Sequence, residues 1–223
     1  MGLNHYYIPY KPEAKVNYLY LFELMELADY NTATKVFDTI TYTSVAKLAE
    51  RLTLSASQLR RIIDDDKYKY FLSTDKKNKI ITLNTCFIAG SNGPFVCLTD
   101  TEVAFLRKHS DPLLCKYLIY VKFNCGRNQK NGIKQDFTAK QFLSACGYSL
   151  KSNSELSQIS TYNGLLETEG FISITNYYDE AGHLRNIYAY NAKYTYSKQI
   201  KTLEEGTIKG LSTDNCKDIP FIW

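Results

Sequence analysis

The stretch Leu48-Ala49-Glu50-Arg51-Leu52-Thr53-Leu54-Ser55-Ala56-Ser57-Gln58-Leu59-Arg60-Arg61-Ile62 decides the fold. Its apolar residues recur at helical spacing on both sides of a break at Thr53-Leu54, and this pattern predicts two short helices joined by a tight turn. Ser44 and Ser55 precede the two helices as N-cap residues, because a serine hydroxyl accepts a hydrogen bond from a backbone amide of the first helical turn. The chain therefore contains a compact pair of helices that must cross closely.

The remainder of the first 84 residues adds one helix before this pair and two strands after it. Apolar residues at helical spacing between Lys15 and Asp29 predict an amphipathic first helix. Tyr68–Leu72 and Lys79–Leu83 have the composition of strands, and the polar segment Asp75–Asn78 between them predicts a turn. The order is helix, helix, helix and a two-stranded ribbon.

The second half repeats this order. The loop formers of Gly90-Ser91-Asn92-Gly93-Pro94 mark the best domain boundary. The predicted elements beyond it are helices over Thr99–His109, Pro112–Phe123 and Ala139–Ala145, a long helix from the cap residue Asn153 to the stop at Gly170, and strands over Phe171–Thr175 and Leu184–Tyr190. This arrangement predicts an α+β fold with domains at 1–90 and 91–195 and a C-terminal tail at 196–223.

The stretch from Leu48 to Ile62 resembles a helix-turn-helix. Ala49 occupies the small site where the two helices cross, and Leu59 and Ile62 face back toward the core. One departure is Thr53, which stands where that family usually has a glycine. With the two following strands, the unit resembles a winged helix whose wing carries lysines at its tip.

Two such domains in one chain are similar to tandem winged-helix replication initiators of plasmids and phages, and to replisome organisers of low-GC bacteria. The resemblance implies a protein that binds double-stranded DNA and acts in replication initiation, or in its regulation, on a mobile element. It also implies a replication protein or a second copy of the chain as a possible partner.

In a winged helix the second helix of the pair enters the major groove, so its outward residues must reach bases and phosphates. We expect base choice from Gln58, Arg60 and Arg61, and phosphate contacts from the helix start and the wing. The candidate DNA-binding residues of the first domain are Ser55, Ser57, Gln58, Arg60, Arg61, Lys76, Lys77 and Lys79. The alternative interpretation is a solvated polar face on an ordinary three-helix domain.

The second domain has a weaker electrostatic case for DNA binding. Its candidate residues are Lys151, Asn153, Gln158 and Arg185. Its ribbon turn carries Asp179 and Glu180 in place of lysines. This domain is therefore expected to bind DNA less tightly, or to dimerise or dock a protein.

One feature of the sequence opposes duplex binding, and another suggests a different nucleic-acid partner. The run Asp64–Asp66 places three carboxylates at the end of the candidate recognition helix, where they oppose phosphate, and we interpret it as the end of the groove contact. The 19 tyrosines raise single-strand binding by stacking as an alternative, with Tyr177, Tyr178, Tyr188 and Tyr190 as the positions of interest.

Composition and motifs exclude several other classes of protein. The net charge of +4 is compatible with a nucleic-acid partner. Scattered cysteines, the lack of a long apolar run and the lack of a secretory signal predict a cytoplasmic protein with reduced cysteines and no membrane contact. Widely spaced histidines and the lack of a GxxxxGK motif predict no metal, no cofactor and no catalysis.

Three questions stay open at this stage. The protein is a replication factor or a transcriptional regulator, which would share the same DNA face. In a different class, it is an interaction module that docks a replisome component. The apolar end of the tail, Ile219–Trp223, either inserts into a partner or covers the chain's own core.

Overall fold

A computed structural model describes residues 5–31, 36–84, 94–126, 135–149 and 153–191. The first unit runs from residue 18 to residue 84. Its elements are α1 (Tyr18–Leu27), β2 (Asp29–Asn31), β3 (Val36–Thr41), α2 (Val45–Arg51), α3 (Ala56–Asp64), a 3-10 turn (Asp66–Tyr68), β4 (Leu72–Asp75) and β5 (Ile80–Leu83), and it is preceded by β1 (His5–Pro9).

The second unit runs from residue 112 to residue 191. The elements from residue 95 onward are β6 (Phe95–Thr99), α4 (Asp100–His109), α5 (Pro112–Gly126), β7 (Gln135–Asp136), α6 (Ala139–Ala145), α7 (Asn153–Thr168), β8 (Ile172–Tyr178) and β9 (Leu184–Tyr190). The mixed α+β class predicted from the sequence is confirmed.

The two units repeat one sheet topology. In the first, β5 lies between β3 and β4, with β2 added outside β3; in the second, β9 lies between β7 and β8. All of these strand pairs are antiparallel. Apart from the additional strand β2, each unit is therefore a helix, a strand, two helices and two strands, and the strand before the helix pair lies beside the last strand.

The same backbone turn follows α2 and α6. Thr53 adopts a left-handed φ of 52°, and Gly147, 94 positions later, adopts a φ of 70°. The amide of Leu54 donates to the carbonyl of Ala49 at 2.9 Å, and the amide of Tyr148 donates to that of Leu143 at the same distance. Both helices thus end in the same capping motif, although only the second has glycine at its strained position.

Strand ends repeat as well. The buried pairs Phe71-Leu72 and Phe171-Ile172 occupy equivalent places, with the amide of Asn84 or Asn191 donating to the carbonyl of the phenylalanine at 2.8 Å. The two units therefore share individual hydrogen bonds as well as the order of their helices and strands.

Buried residues of both halves form one continuous core. Strand β1, which precedes the first unit, pairs with β6 rather than with the first unit's sheet. The Arg107 side chain of α4 pairs with Glu23 and Glu26 of α1 at 2.8 and 2.6 Å. The predicted boundary at Gly90–Pro94 lies almost entirely outside the described residues.

The strand expected over Tyr68–Leu72 is wrong. Tyr68 closes the 3-10 turn, and the strand begins only at Leu72. Tyr68 and Phe71 are both buried, so the apolar pattern there has a spacing of three, which fits a turn and not an alternating strand. The carboxylate of Asp65 fixes the turn by accepting from the amide of Lys67 at 3.0 Å.

Candidate nucleic-acid interface

The start of α3 is fixed by a reciprocal capping box. The Ser55 hydroxyl accepts from the amide of Gln58 at 3.1 Å, and the Gln58 side-chain oxygen accepts from the amide of Ser55 at 2.8 Å. The Ser57 hydroxyl lies 3.0 Å from that of Ser55. A bidentate contact from Gln58 to adenine requires both atoms of its amide group, so Gln58 would have to leave the capping box.

Arg60 and Arg61 lie on the solvent side of α3. Leu59 and Ile62 are buried against α2 and the core, which turns the two arginines outward into exposed positions. Neither guanidinium group forms an ion pair with any residue that the structure describes. Both are positioned to contact an external anion.

The tip of the β4–β5 hairpin carries three exposed lysines, and two of them contact the helix pair. The Lys76 ammonium pairs with the Asp64 carboxylate at the end of α3 at 2.7 Å. The Lys79 ammonium donates to the carbonyl of Thr43 at 3.0 Å, just before α2. These contacts join the hairpin to the helix pair and leave Lys77 exposed between them.

The three aspartates at the end of α3 are each paired with a lysine. Besides the Asp64–Lys76 pair, Asp65 lies 2.8 Å from Lys67 and Asp66 lies 2.6 Å from Lys69. The hydrogen bond from Lys67 lowers the pKa of Asp65. The negative charge of the acidic run is therefore neutralised by neighbouring lysines. The sequence interpretation missed this result, although Lys67 and Lys69 follow Asp64 within five residues.

The second unit presents its candidates less consistently. Gln158 is exposed on α7, and Asn153 is the first residue of that helix. Lys151 lies outside the described residues. Arg185 pairs with Asp179, in the turn directly after β8, at 2.7 Å, and this hydrogen bond lowers the pKa of Asp179 to about 2.

The segments that carry the helix pair and the hairpin differ in charge between the two units, with α1 and α5 left out of the count. Described residues from 36 to 84 include nine lysines and arginines against six acidic residues, whereas those from 135 to 191 include two against six. Helices α3 and α7 correspond at two buried positions. Leu59 and Ile62 of α3 are matched by Ile159 and Tyr162 of α7, one hundred positions later. Ser160 and Thr161 then stand where α3 carries its two arginines.

The tyrosines singled out for stacking do not form a platform. Tyr188 and Tyr190 are buried in the core, which contradicts a surface role for them. The Tyr177 hydroxyl donates to the Asp136 carboxylate at 2.6 Å, while Tyr178 is 73% exposed. Alternation along the paired strands β8 and β9 places Tyr177 on the face opposite to Tyr178, Tyr188 and Tyr190, and of those three only Tyr178 is exposed.

Sequence reasoning missed a buried polar cluster around α5. The ammonium of Lys122 contacts both carboxylate oxygens of Glu102, at 2.7 and 2.6 Å, and Tyr190 donates to the same carboxylate. Both charged side chains are fully buried. The available signal was a lysine within a helix that is apolar on every side, which indicates a buried helix.

Among the described residues, no three histidine, cysteine or carboxylate side chains come together as metal ligands. No described helix has the length and apolar character needed to cross a bilayer. The four described cysteines are buried, and none of them forms a disulfide with another. Comparison of the chain with protein-family models, with curated proteins and with solved structures found no match.

Proposed function

We propose that this chain is a non-enzymatic, cytoplasmic protein with two winged-helix units, and that it binds double-stranded DNA through the first of them. The observation that carries the proposal is the exposed surface of α3 and the hairpin tip, where Arg60, Arg61 and Lys77 form no ion pair with the part of the chain that the structure describes. We assign it to replication initiation, or to the regulation of initiation, on a plasmid, phage or other mobile element. That last step rests on the tandem resemblance.

The repeated topology supports the winged-helix assignment. Each unit combines two successive helices, the first of which ends in the same left-handed turn, with a two-stranded hairpin whose inner strand pairs with the strand before the helices. In this arrangement α3 is the recognition helix and β4–β5 is the wing. The ion pair between Asp64 and Lys76 keeps the wing beside the helix, so both can meet the same stretch of duplex.

Affinity would come from phosphate contacts by Lys77, Lys79 and the N-terminus of α3, and base choice from Arg60 and Arg61. Gln58 would add to base choice only if its side chain left the capping box. The test is fluorescence anisotropy with labelled duplexes at several salt concentrations, using Lys77→Ala and Arg61→Ala variants, with Lys140→Ala as a control because Lys140 is an exposed lysine of the second unit.

Lys77→Ala should weaken binding to all sequences alike and lower the salt slope by about one. Arg61→Ala should cost about 1–3 kcal/mol on the preferred site and relax the preference at one position. Lys140→Ala should change neither quantity. Equal, negligible effects from Lys77→Ala and Arg61→Ala would reject the proposed interface.

One observation favours a second role for the second unit. Its hairpin presents Tyr178 and Leu184 side by side, 73% and 57% exposed, within an acidic surface. An acidic surface repels phosphate, so we assign this unit to protein docking, with a replication protein as the partner class. Duplex affinity that persists in a Tyr178→Ser/Leu184→Ser variant, while partner capture is lost, would separate this role from DNA binding.

A further inference from the structure

A cavity of about 500 Å³ lies between the second unit and the segment that precedes α1. Its walls come from the chain just before α1, from the start of α5, and from the turn after α6. The residues that matter for its chemistry are Lys15, Val16, Pro112, Lys116 and Tyr148. It lies apart from α3 and the β4–β5 hairpin, and none of the candidate DNA contacts lines it.

Lys116 is the unusual residue of this cavity. Only 5% of it is exposed, and its ammonium donates to the carbonyl of Ala14 at 2.6 Å. Its nitrogen also lies 5.5 Å from the centre of the Tyr148 ring. No carboxylate among the described residues forms an ion pair with it, whereas Lys122, buried on the same helix, holds both oxygens of Glu102.

A buried ammonium group without a counter-ion is costly, because burial removes its hydration and a single carbonyl replaces little of it. Burial lowers the pKa of Lys116. The carboxylate of Glu13 acts on this charge only from an exposed position outside ion-pair distance. Asp111, at the start of α5, is engaged by the amides of Leu113 and Leu114 and by the Tyr162 hydroxyl.

The cavity combines this unpaired charge with apolar walls. Lys15 adds a second cation at its edge, and Val16, Pro112 and Tyr148 supply apolar and aromatic surface. Two cations suit a dianion better than a monoanion, and the volume exceeds that of an inorganic phosphate several-fold. An aromatic ring beside the ammonium suits a planar group that stacks on it.

We propose that this cavity binds a phosphate monoester with a planar apolar body, whose phosphate pairs with Lys116 and Lys15 and whose body lies against Tyr148. Lys116 then has the counter-ion that the described residues do not supply. A nucleoside monophosphate has this chemistry and serves as the probe.

The test is isothermal titration calorimetry of the full chain with adenosine monophosphate, adenosine and inorganic phosphate. Adenosine monophosphate should bind, adenosine should bind at least tenfold more weakly, and inorganic phosphate should bind more weakly than the nucleotide. Lys116→Met should weaken nucleotide binding by about 30-fold or more, since it removes a buried charged partner. Lys140→Met, on an exposed lysine, should leave binding unchanged.

Thermal unfolding of the same variants keeps the proposal testable if folding is affected. Lys116→Met leaves no buried carboxylate unpaired, so its unfolding temperature without ligand should equal or exceed that of the parent protein. Saturating nucleotide should raise the unfolding temperature of the parent and not of the variant. The proposal is overturned if no phosphate compound binds the parent, if adenosine binds as tightly as its monophosphate, or if Lys116→Met retains full affinity.

Discussion

Thr53 shows how a single residue can be held in an unfavourable conformation by the structure around it. Its φ of 52° is left-handed, and Gly147 holds the matching place in the second unit at 70°. A left-handed residue other than glycine costs about 1–2 kcal/mol. The capping hydrogen bond from Leu54 to Ala49 holds Thr53 in this conformation.

We expect Thr53→Gly to stabilise the protein by roughly 0.5–1 kcal/mol, because relief of the left-handed strain exceeds the added chain entropy of glycine. Gly147→Thr should destabilise it by about the same amount. A side chain at 147 would meet no neighbour within 4 Å, so this effect is conformational and not steric. Urea unfolding of the two variants measures both; a loss of stability in Thr53→Gly would contradict the argument.

Lys122 provides the second prediction at this scale. Lys122→Met should destabilise the protein by about 3–5 kcal/mol, because it leaves the Glu102 carboxylate buried without its cation. Lys108→Met, on an exposed lysine of α4, is the control and should change stability by less than about 0.5 kcal/mol. Equilibrium unfolding measures the difference. Equal small effects would contradict the argument that the buried Glu102 carboxylate depends on Lys122.

At the scale of elements, the contact between α3 and the β4–β5 hairpin is electrostatic. Asp64 holds the Lys76 ammonium at 2.7 Å, so this lysine is partly neutralised and Lys77 is not. On the proposed function, Asp64→Asn should strengthen duplex binding several-fold and raise the salt slope by about one, because it removes a negative charge and frees a cation. Lys76→Ala should weaken binding less than Lys77→Ala does.

The matched control is Asp66→Asn, because Asp66 pairs with Lys69 and not with the hairpin. Salt-dependent anisotropy measures all four variants. If Asp64→Asn weakens binding, the ion pair serves mainly to position the hairpin, and the charge argument is wrong.

The sequence predicted the elements whose signals are local. Helix α6 and strand β9 have the predicted bounds, and α2 and α3 are right to within a residue, because serine and threonine caps and apolar spacing act over a few positions. Strand β7 went unrecognised, since it is defined by pairing with a strand more than 50 residues later. Strand β3 went unrecognised although it also pairs with β2, its neighbour along the chain. The pairing of β1 with β6 spans about 90 residues and carries no local signal.

In the candidate site, too, the features with local sequence signals were predictable and those that depend on tertiary contacts were not. Exposure of Arg60 and Arg61 follows from the helical spacing of Leu59 and Ile62, so the face of α3 was predictable. The engagement of Gln58 in a capping box was also readable from its place three residues after Ser55, but it was not used. Lys116 and the Asp64–Lys76 pair depend on tertiary contacts between separate elements, which spacing along the chain does not encode.

At the scale of the whole molecule, one core joins the two units. Buried residues from α1, α5, β6 and both sheets belong to the same cluster. We therefore expect a single cooperative unfolding transition, with the amides of β5 and β9 exchanging hydrogen at the same global free energy. Native-state hydrogen exchange measures this. Loss of protection in β4–β5 at a lower free energy than in β8–β9 would show that the units unfold separately.

Acid should loosen the contact between α1 and α4. Burial alone would raise the pKa of Glu26, but hydrogen bonds from Arg107 and Tyr6 outweigh it and lower the pKa below its ordinary value. A carboxyl whose pKa is lowered by folding stabilises the native state above its unfolded pKa, near 4.3, and loses that contribution as the pH falls through the folded value.

Glu26→Gln should cost roughly 0.5–1 kcal/mol at pH 7, because the ion pair is one-third exposed, and should flatten the stability profile between about pH 5 and pH 3. Glu13→Gln, at an exposed carboxyl without an ion pair, should leave that profile intact, and urea unfolding at each pH distinguishes the two. An unchanged acid slope in Glu26→Gln would mean that acid destabilises the protein through other carboxyl groups.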